Sequence, residues 1–109
     1  MDQEIDRVIK QYKQRLEASG IRVKKIILYG SHAQGEAKED SDIDLVVISE
    51  DFKDMDLWER LSLLGYARIG IRKPMEILGF TEEEFAEKEK GTFVGDEIKA
   101  KGVEILFVE

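Results

Sequence analysis

Two short aliphatic runs, VKKIILYG at residues 23–30 and DIDLVVIS at residues 42–49, leave this chain the fewest ways to fold. Each packs its apolar residues into a stretch too short for a helix. Each is also bounded by polar residues or glycine, as a strand buried inside a sheet is. The eleven residues between them, SHAQGEAKEDS, are more than a plain hairpin needs. Connections of that length inside a compact chain tend to carry function. The places to look are therefore the two ends of this one, Gly30-Ser31 and Asp42-Ile43-Asp44.

The remaining elements follow from periodicity and end signals. Ile5, Val8, Ile9, Tyr12 and Leu16 recur at helical spacing, and Gly20 supplies a stop. Residues 56–69 read as a second helix, with Asp56 and Glu59 spaced for a capping box. Leu57, Trp58, Leu61 and Leu64 form its apolar face, expected to pack on the core, with a self-association face as the alternative. PMEILGF, residues 74–80, reads as a strand opened by the only proline, where no ladder bond is lost. Thr81 and Glu84 repeat the capping-box spacing, with Phe80 and Phe85 placed as a hydrophobic staple. A helix over 92–100 and a closing strand over 103–108 complete the order. Strands interleaved with helices predict an α/β or α+β domain in which helices pack on a small mixed sheet of about four strands. At 109 residues, a single domain spanning 1–109 is expected.

Composition narrows the chemistry. The chain has no cysteine and one histidine, His32, which excludes thiolate chemistry and histidine-rich metal sites. Any metal must be held by oxygen, which points to magnesium, manganese or calcium. The formal net charge of −7 argues against general nucleic-acid binding, though not against a small nucleotide that arrives with its own divalent cations. No apolar run reaches the roughly 20 residues of a membrane span. The opening MDQEID lacks the basic and apolar parts of a signal peptide, so the expected location is cytoplasmic.

The candidate site is built from two halves. On a strand, residues i and i+2 face the same way, so Asp42 and Asp44 project together while Ile43 faces the opposite side. Two carboxylates so placed repel unless a cation lies between them or one binds a proton. Gly30, at the end of the first strand, permits close approach to the backbone. The amides of a short helix after it, with the Ser31 hydroxyl, can meet phosphate oxygens. An EF-hand reading of Asp40, Asp42 and Asp44 fails, because Leu45 stands where that loop needs glycine and the context is a strand. Ser41 is placed to cap the turn into the second strand. Arg72 and Lys73 are further candidates for phosphate contact.

Taken together, residues 30–45, GSHAQGEAKEDSDIDL, resemble the signature of the polymerase-β-like nucleotidyltransferase superfamily: Gly-Ser, a spacer of about ten residues, then Ser-Asp-x-Asp-Leu. The chain is most similar to the minimal, stand-alone members. The resemblance implies a third carboxylate on a later strand, a place that Glu76 fits; a charge in the middle of a short apolar strand asks for a partner in any case. Many such relatives carry aspartate at that position, and arginine at the one held here by Gln34.

The implied activity is transfer of a nucleoside monophosphate, AMP from ATP, to a hydroxyl. Two Mg2+ ions (or Mn2+) would be held by Asp42, Asp44 and Glu76, and the nucleotide would rest on Gly30 and Ser31. Glu76 would act as general base or as ligand only. The chain has little room for an acceptor domain, and the resemblance implies a separate HEPN-type protein partner in a toxin–antitoxin pair. Two alternatives stand beside this expectation. One is a binding module that neutralises a partner by contact; the other is a transferase acting on a small-molecule hydroxyl.

Overall fold

Strand β2 (Ile43–Ile48) is fully flanked, by β1 (Lys25–Tyr29) on one side and β3 (Met75–Phe80) on the other. The short β4 (Val103–Glu104) lies beyond β1, giving the order β3-β2-β1-β4. The protein's structure, a computed structural model, describes residues 3–88 and 91–107. β1 runs antiparallel to both β2 and β4, and β3 runs parallel to β2, so the sheet is mixed as expected. Register pairs Tyr29 with Asp44 and Asp44 with Glu76.

Side-chain alternation divides the strands between two cores. Ile26, Leu28, Ile43, Leu45, Val47, Met75 and Ile77 face helix α1 (Gln3–Ala18) and helix α3 (Leu57–Ala67). Those helices answer with Ile5, Ile9, Tyr12, Leu16, Leu64 and Ala67. The Tyr12 hydroxyl donates to the Leu64 carbonyl at 2.7 Å, joining α1 to α3, and its burial pushes the phenol pKa upward. On the opposite face, Ile27, Tyr29, Val46 and Ile48 pack with Ile98, Phe80, Phe85 and Val94. The cover there is helix α4 (Glu82–Ala86) and a π-helical turn, Val94–Lys99. A four-residue helix α2 (Ser31–Gln34) follows β1, and a 3-10 turn, Glu50–Phe52, follows β2. Among the described residues no helix is long and apolar enough to cross a membrane.

Both capping boxes form. Asp56 accepts from the Glu59 amide at 2.8 Å, and Thr81 accepts from the Glu84 amide at 3.1 Å, each with the reciprocal bond. The Phe80 and Phe85 rings meet with centroids 6.1 Å apart. Glu84 has a second task. Its carboxylate receives Arg60 through both guanidinium nitrogens, at 2.6 and 2.9 Å, while Arg60 also donates to the carbonyls of Phe52, Met55 and Gly79. Arg68 donates to the Met75 carbonyl at 2.7 Å. Met75 and Gly79 carbonyls lie on the outer edge of β3, so Arg60 of α3 and Arg68 at its C-cap occupy acceptors that would otherwise invite another strand.

Two expectations are corrected. Leu57, Trp58 and Leu61 do not pack on the core; they are 70%, 77% and 42% exposed, and of the four expected residues only Leu64 is buried. The reason is Arg60. Its network requires α3 to turn the stripe of Arg60, Leu64 and Ala67 inward, which rotates Trp58 and Leu61 outward; Leu57 shares that stripe but stands on the open first turn of the helix. The closing strand is also shorter than 103–108. After the paired Val103 and Glu104, Ile105 still donates to the Ile26 carbonyl at 2.9 Å, but Leu106 is 81% exposed; residue 108 lies outside the described residues.

Arg60 holds the Glu84 carboxyl at about 2, well below the ordinary 4.5, with the Thr81 amide adding to the effect. A depressed carboxyl stabilises the fold above its unfolded pKa and ceases to as pH falls through the folded one. Urea unfolding should therefore show wild-type stability falling between about pH 4.5 and 2. Glu84→Gln should be less stable at neutral pH and lose less across that window. Parallel pH profiles for the two proteins would refute the assignment.

Candidate active site

Tyr29, Asp44 and Glu76 form a row across β1, β2 and β3, because register pairs them and paired residues share a face. Asp42 precedes β2 by one residue and belongs to the same face by alternation. Ile43 and Leu45, on either side of Asp44, are fully buried in the larger core, so the carboxylate is mounted between two anchors. The row lies where the cover of the second face ends: Asp44 is half-buried, and Asp42 and Glu76 are exposed.

Gly30 completes the arrangement. It has φ 72°, a backbone conformation that L side chains rarely adopt, and a Cβ added there would fall 2.3 Å from Asp44 Oδ2. The Asp44 carboxylate thus rests directly over the glycine, occupying the space a side chain would take. α2 begins at the next residue. Ala33 and Gln34 donate to the Gly30 carbonyl at 3.1 and 3.2 Å, closing the helical turn. The first amides of any helix lack an intrahelical acceptor, so Ser31 and His32 present their N–H groups at the start of α2, next to the carboxylate row. A donor group beside an acid group is what a nucleotide and its cations need together.

Electrostatics mark Asp44 as the crowded member. Burial raises its pKa first, followed by the charges of Glu76 and Asp42, while His32 acts the other way. Tyr29 is pushed up to about 12, chiefly by burial and then by Asp44 and Glu76, so its phenol stays protonated at neutral pH. Its ring meets Phe93 edge-on, with centroids 6.1 Å apart. Among the described residues no three His, Asp or Glu side chains converge into a ready metal cage. The donors nevertheless fit a hard divalent cation: all are oxygens, and a cation would relieve the like-charge repulsion on Asp44.

The lesser candidates divide. His32 Nε2 lies 3.2 Å from the Ser41 carbonyl, bracing the long loop, and Ser41 Oγ accepts from the Lys38 amide at 2.8 Å, as its capping role requires. Gln34 donates to the Lys101 carbonyl at 3.2 Å, tying α2 to the segment before β4. Lys73 donates to the Glu39 carbonyl at 3.2 Å, and Arg72 lines a separate groove with Gly70 and Pro74. Neither is brought into the row. Tyr29 is the residue that sequence reading left without a role. Only the β1–β2 register reveals its place, and register is not visible before the strands pair.

Comparison with known proteins supplies the family. Residues 5–108 match the family model of the nucleotidyltransferase domain. Protein adenylyltransferase MntA of Thermococcus cleftensis is 35% identical over 71 residues, covering 64% of this chain and 70% of that protein. MJ1215 of Methanocaldococcus jannaschii, also described as a protein adenylyltransferase, is 43% identical over 44 residues. That match covers 40% of this chain and spans half of the relative's length. A crystal structure from Sulfolobus solfataricus, assigned as a nucleotidyltransferase, superposes with a TM-score of 0.58 at 21% identity, over 95% of this chain and 86% of its own. That likeness is one of fold. With the family model spanning all but the ends of the sequence, and the mixed sheet holding its acidic row beside the Gly-Ser turn, the chain belongs to the nucleotidyltransferase domain family.

Proposed function

We propose that this chain transfers AMP from ATP to a hydroxyl of a separate protein, a small helical partner of the HEPN type, as the antitoxin of a toxin–antitoxin pair. The observation that carries the reading is the seating of the Asp44 carboxylate over Gly30, with Glu76 in register beside it. It sets an acid pair against the turn expected to receive phosphate. The naming of MntA as a protein adenylyltransferase supports a protein acceptor.

In this reading Gly30 and Ser31 bind the β and γ phosphates, and Asp42, Asp44 and Glu76 hold two magnesium ions, or manganese. When bound, the ions neutralise phosphate charge and acidify the acceptor hydroxyl. The acceptor oxygen bonds to the α-phosphorus as the bond to the α–β bridging oxygen breaks. Pyrophosphate leaves with that electron pair, and the hydroxyl proton passes to a carboxylate, Glu76 in this scheme. Tyr29 stays neutral and forms the floor beside Asp44.

A second reading, a binding module that neutralises its partner by contact, draws on two observations. Glu76 replaces the usual aspartate, and no three acidic side chains converge among the described residues. Labelled ATP, magnesium and the product of the adjacent gene separate the readings. An AMP-transferase labels the neighbour, whereas a contact module protects without label. Label on a small-molecule hydroxyl with no protein present would favour the third reading instead.

Asp42→Asn with Asp44→Asn should reduce transfer on the order of 10^3-fold, the scale of losing preorganised charge stabilisation. Retained transfer would remove these residues from the reaction. Without nucleotide or metal, Asp44→Asn should unfold at the same or higher urea concentration than wild type, since a crowded, half-buried charge is removed; a clear loss of stability would contradict the crowding. Gly30→Ala should displace the carboxylate and lower transfer about 100-fold, the expected cost of misplacing a reacting geometry by roughly 1 Å. Near-normal rates in that variant would show that the close approach is dispensable.

A further inference from the structure

The cover of the second sheet face ends in an aromatic side chain that neither core absorbs. In the π-helical turn, Val94 and Ile98 pack into the smaller core, while Phe93, one residue before it, is left 61% exposed. Its ring stands edge-on to Tyr29, with centroids 6.1 Å apart and an interplanar angle of 78°. Tyr29 is buried and paired with Asp44, so Phe93 rises from the floor of the acidic row. A lone exposed phenylalanine needs no explanation, but this one is held in place. Gly91, at φ 87°, turns the chain, and its amide donates to Asp96 Oδ1 at 3.0 Å. Thr92 Oγ1 accepts from the Gly95 amide at 3.0 Å, and the Thr92 carbonyl accepts from the Asp96 amide at 2.9 Å. The backbone is therefore closed on both sides of Phe93. With more than half of its surface open and one edge-on contact, the ring keeps at least one π-face free. Turns of π-helix frequently stand at functional sites.

On the basis of the transfer chemistry proposed above, we propose that Phe93 is the platform on which the base of the donor nucleotide stacks, and that it makes the site prefer purine over pyrimidine triphosphates. Order across the sheet selects this occupant. The leaving pyrophosphate lies toward Gly30 and Ser31 at the end of β1, and the acceptor enters past Glu76 on β3, the two in line through the α-phosphorus. The ribose branches from that phosphorus to the side of this axis, along the strands. Phe93 stands over β1 on that side, whereas an acceptor entering over β3 is two strands away. The chemistry agrees. A neutral aromatic face attracts any base, and the attraction grows with the ring area covered, which is larger for a purine. It also adds no repulsion to a triphosphate already facing a chain of formal charge −7. A stacked face does not read the edge of the base, so Phe93 separates purine from pyrimidine and not adenine from guanine.

Calorimetry on the full chain with magnesium tests this, using α,β-methylene-ATP, its cytidine counterpart and tripolyphosphate. Wild type should bind the adenosine analogue more tightly than either of the others. Phe93→Leu keeps an apolar side chain over Tyr29 but removes the π-face. It should weaken the adenosine analogue on the order of 10-fold, leave tripolyphosphate unchanged and erase the preference over cytidine. Phe93→Trp should restore both affinity and preference. The adenine H2 and H8 resonances should move upfield on binding to wild type and not on binding to Phe93→Leu. All three proteins should melt at the same temperature, since the ring lies outside both cores. Equal affinity of wild type and Phe93→Leu for the adenosine analogue, with tripolyphosphate bound by both, overturns the platform and leaves the transferase reading standing. Normal analogue binding by Phe93→Leu with poor labelling of the neighbouring gene product assigns the ring to the acceptor, and also overturns it. Wild type that binds neither analogue nor tripolyphosphate removes the transferase reading and the platform with it.

Discussion

The alternation of β2 is the constraint from which the rest of the molecule takes its positions. Every second residue, Ile43, Leu45 and Val47, is sunk in the core beneath α1 and α3, and all three are fully buried. The intervening residues, Asp44, Val46 and Ile48, must then face the other way, where the last two enter the smaller core and the first emerges at its rim. A slip of one residue would put a carboxylate into the main core and three aliphatic side chains onto the wrong face. The strength of the hydrophobic pattern therefore fixes the position of the acid group. Precision at the site comes from packing that lies on the opposite side of the sheet.

Gly30 shows how a second strand meets that demand. β1 must end where Asp44 begins to protrude, because the two are adjacent across the antiparallel pair, and the carboxylate needs the space over the next Cα. A glycine with positive φ meets both needs: it turns the chain into α2 and leaves room for the acid. The Gly-Ser and Asp-x-Asp motifs are eleven residues apart in the chain but form one structural unit. This is why neither motif is informative alone and the pair is specific.

Much of this was legible in the sequence, and the failures share a cause. The strands, α1, the two capping boxes and the Phe80–Phe85 staple rest on local spacing, and local spacing is what a sequence displays. The place of Glu76 was implied by the resemblance, whereas that of Tyr29 beside Asp44 rests on register, which exists only once the strands pair. The outward turn of Trp58 and Leu61 rests on Arg60, whose acceptors are gathered from Phe52, Met55, Gly79 and Glu84. An apolar residue on a helix signals that something will cover it. It does not say whether the cover comes from the same molecule.

The two arginines on the rim of β3 have a consequence for how the chain is made. α3 precedes β3, so Arg60 and Arg68 leave the ribosome before the carbonyls of Met75 and Gly79 that they will occupy. Domains generally fold as they are synthesised from the N-terminal end, and unpaired strand edges are the hazard of that interval. Here both blocking groups have been made before the strand whose carbonyls they occupy. The edge of β3 is thus closed by groups that precede it in the chain, so the strand needs no later element to cover those two carbonyls.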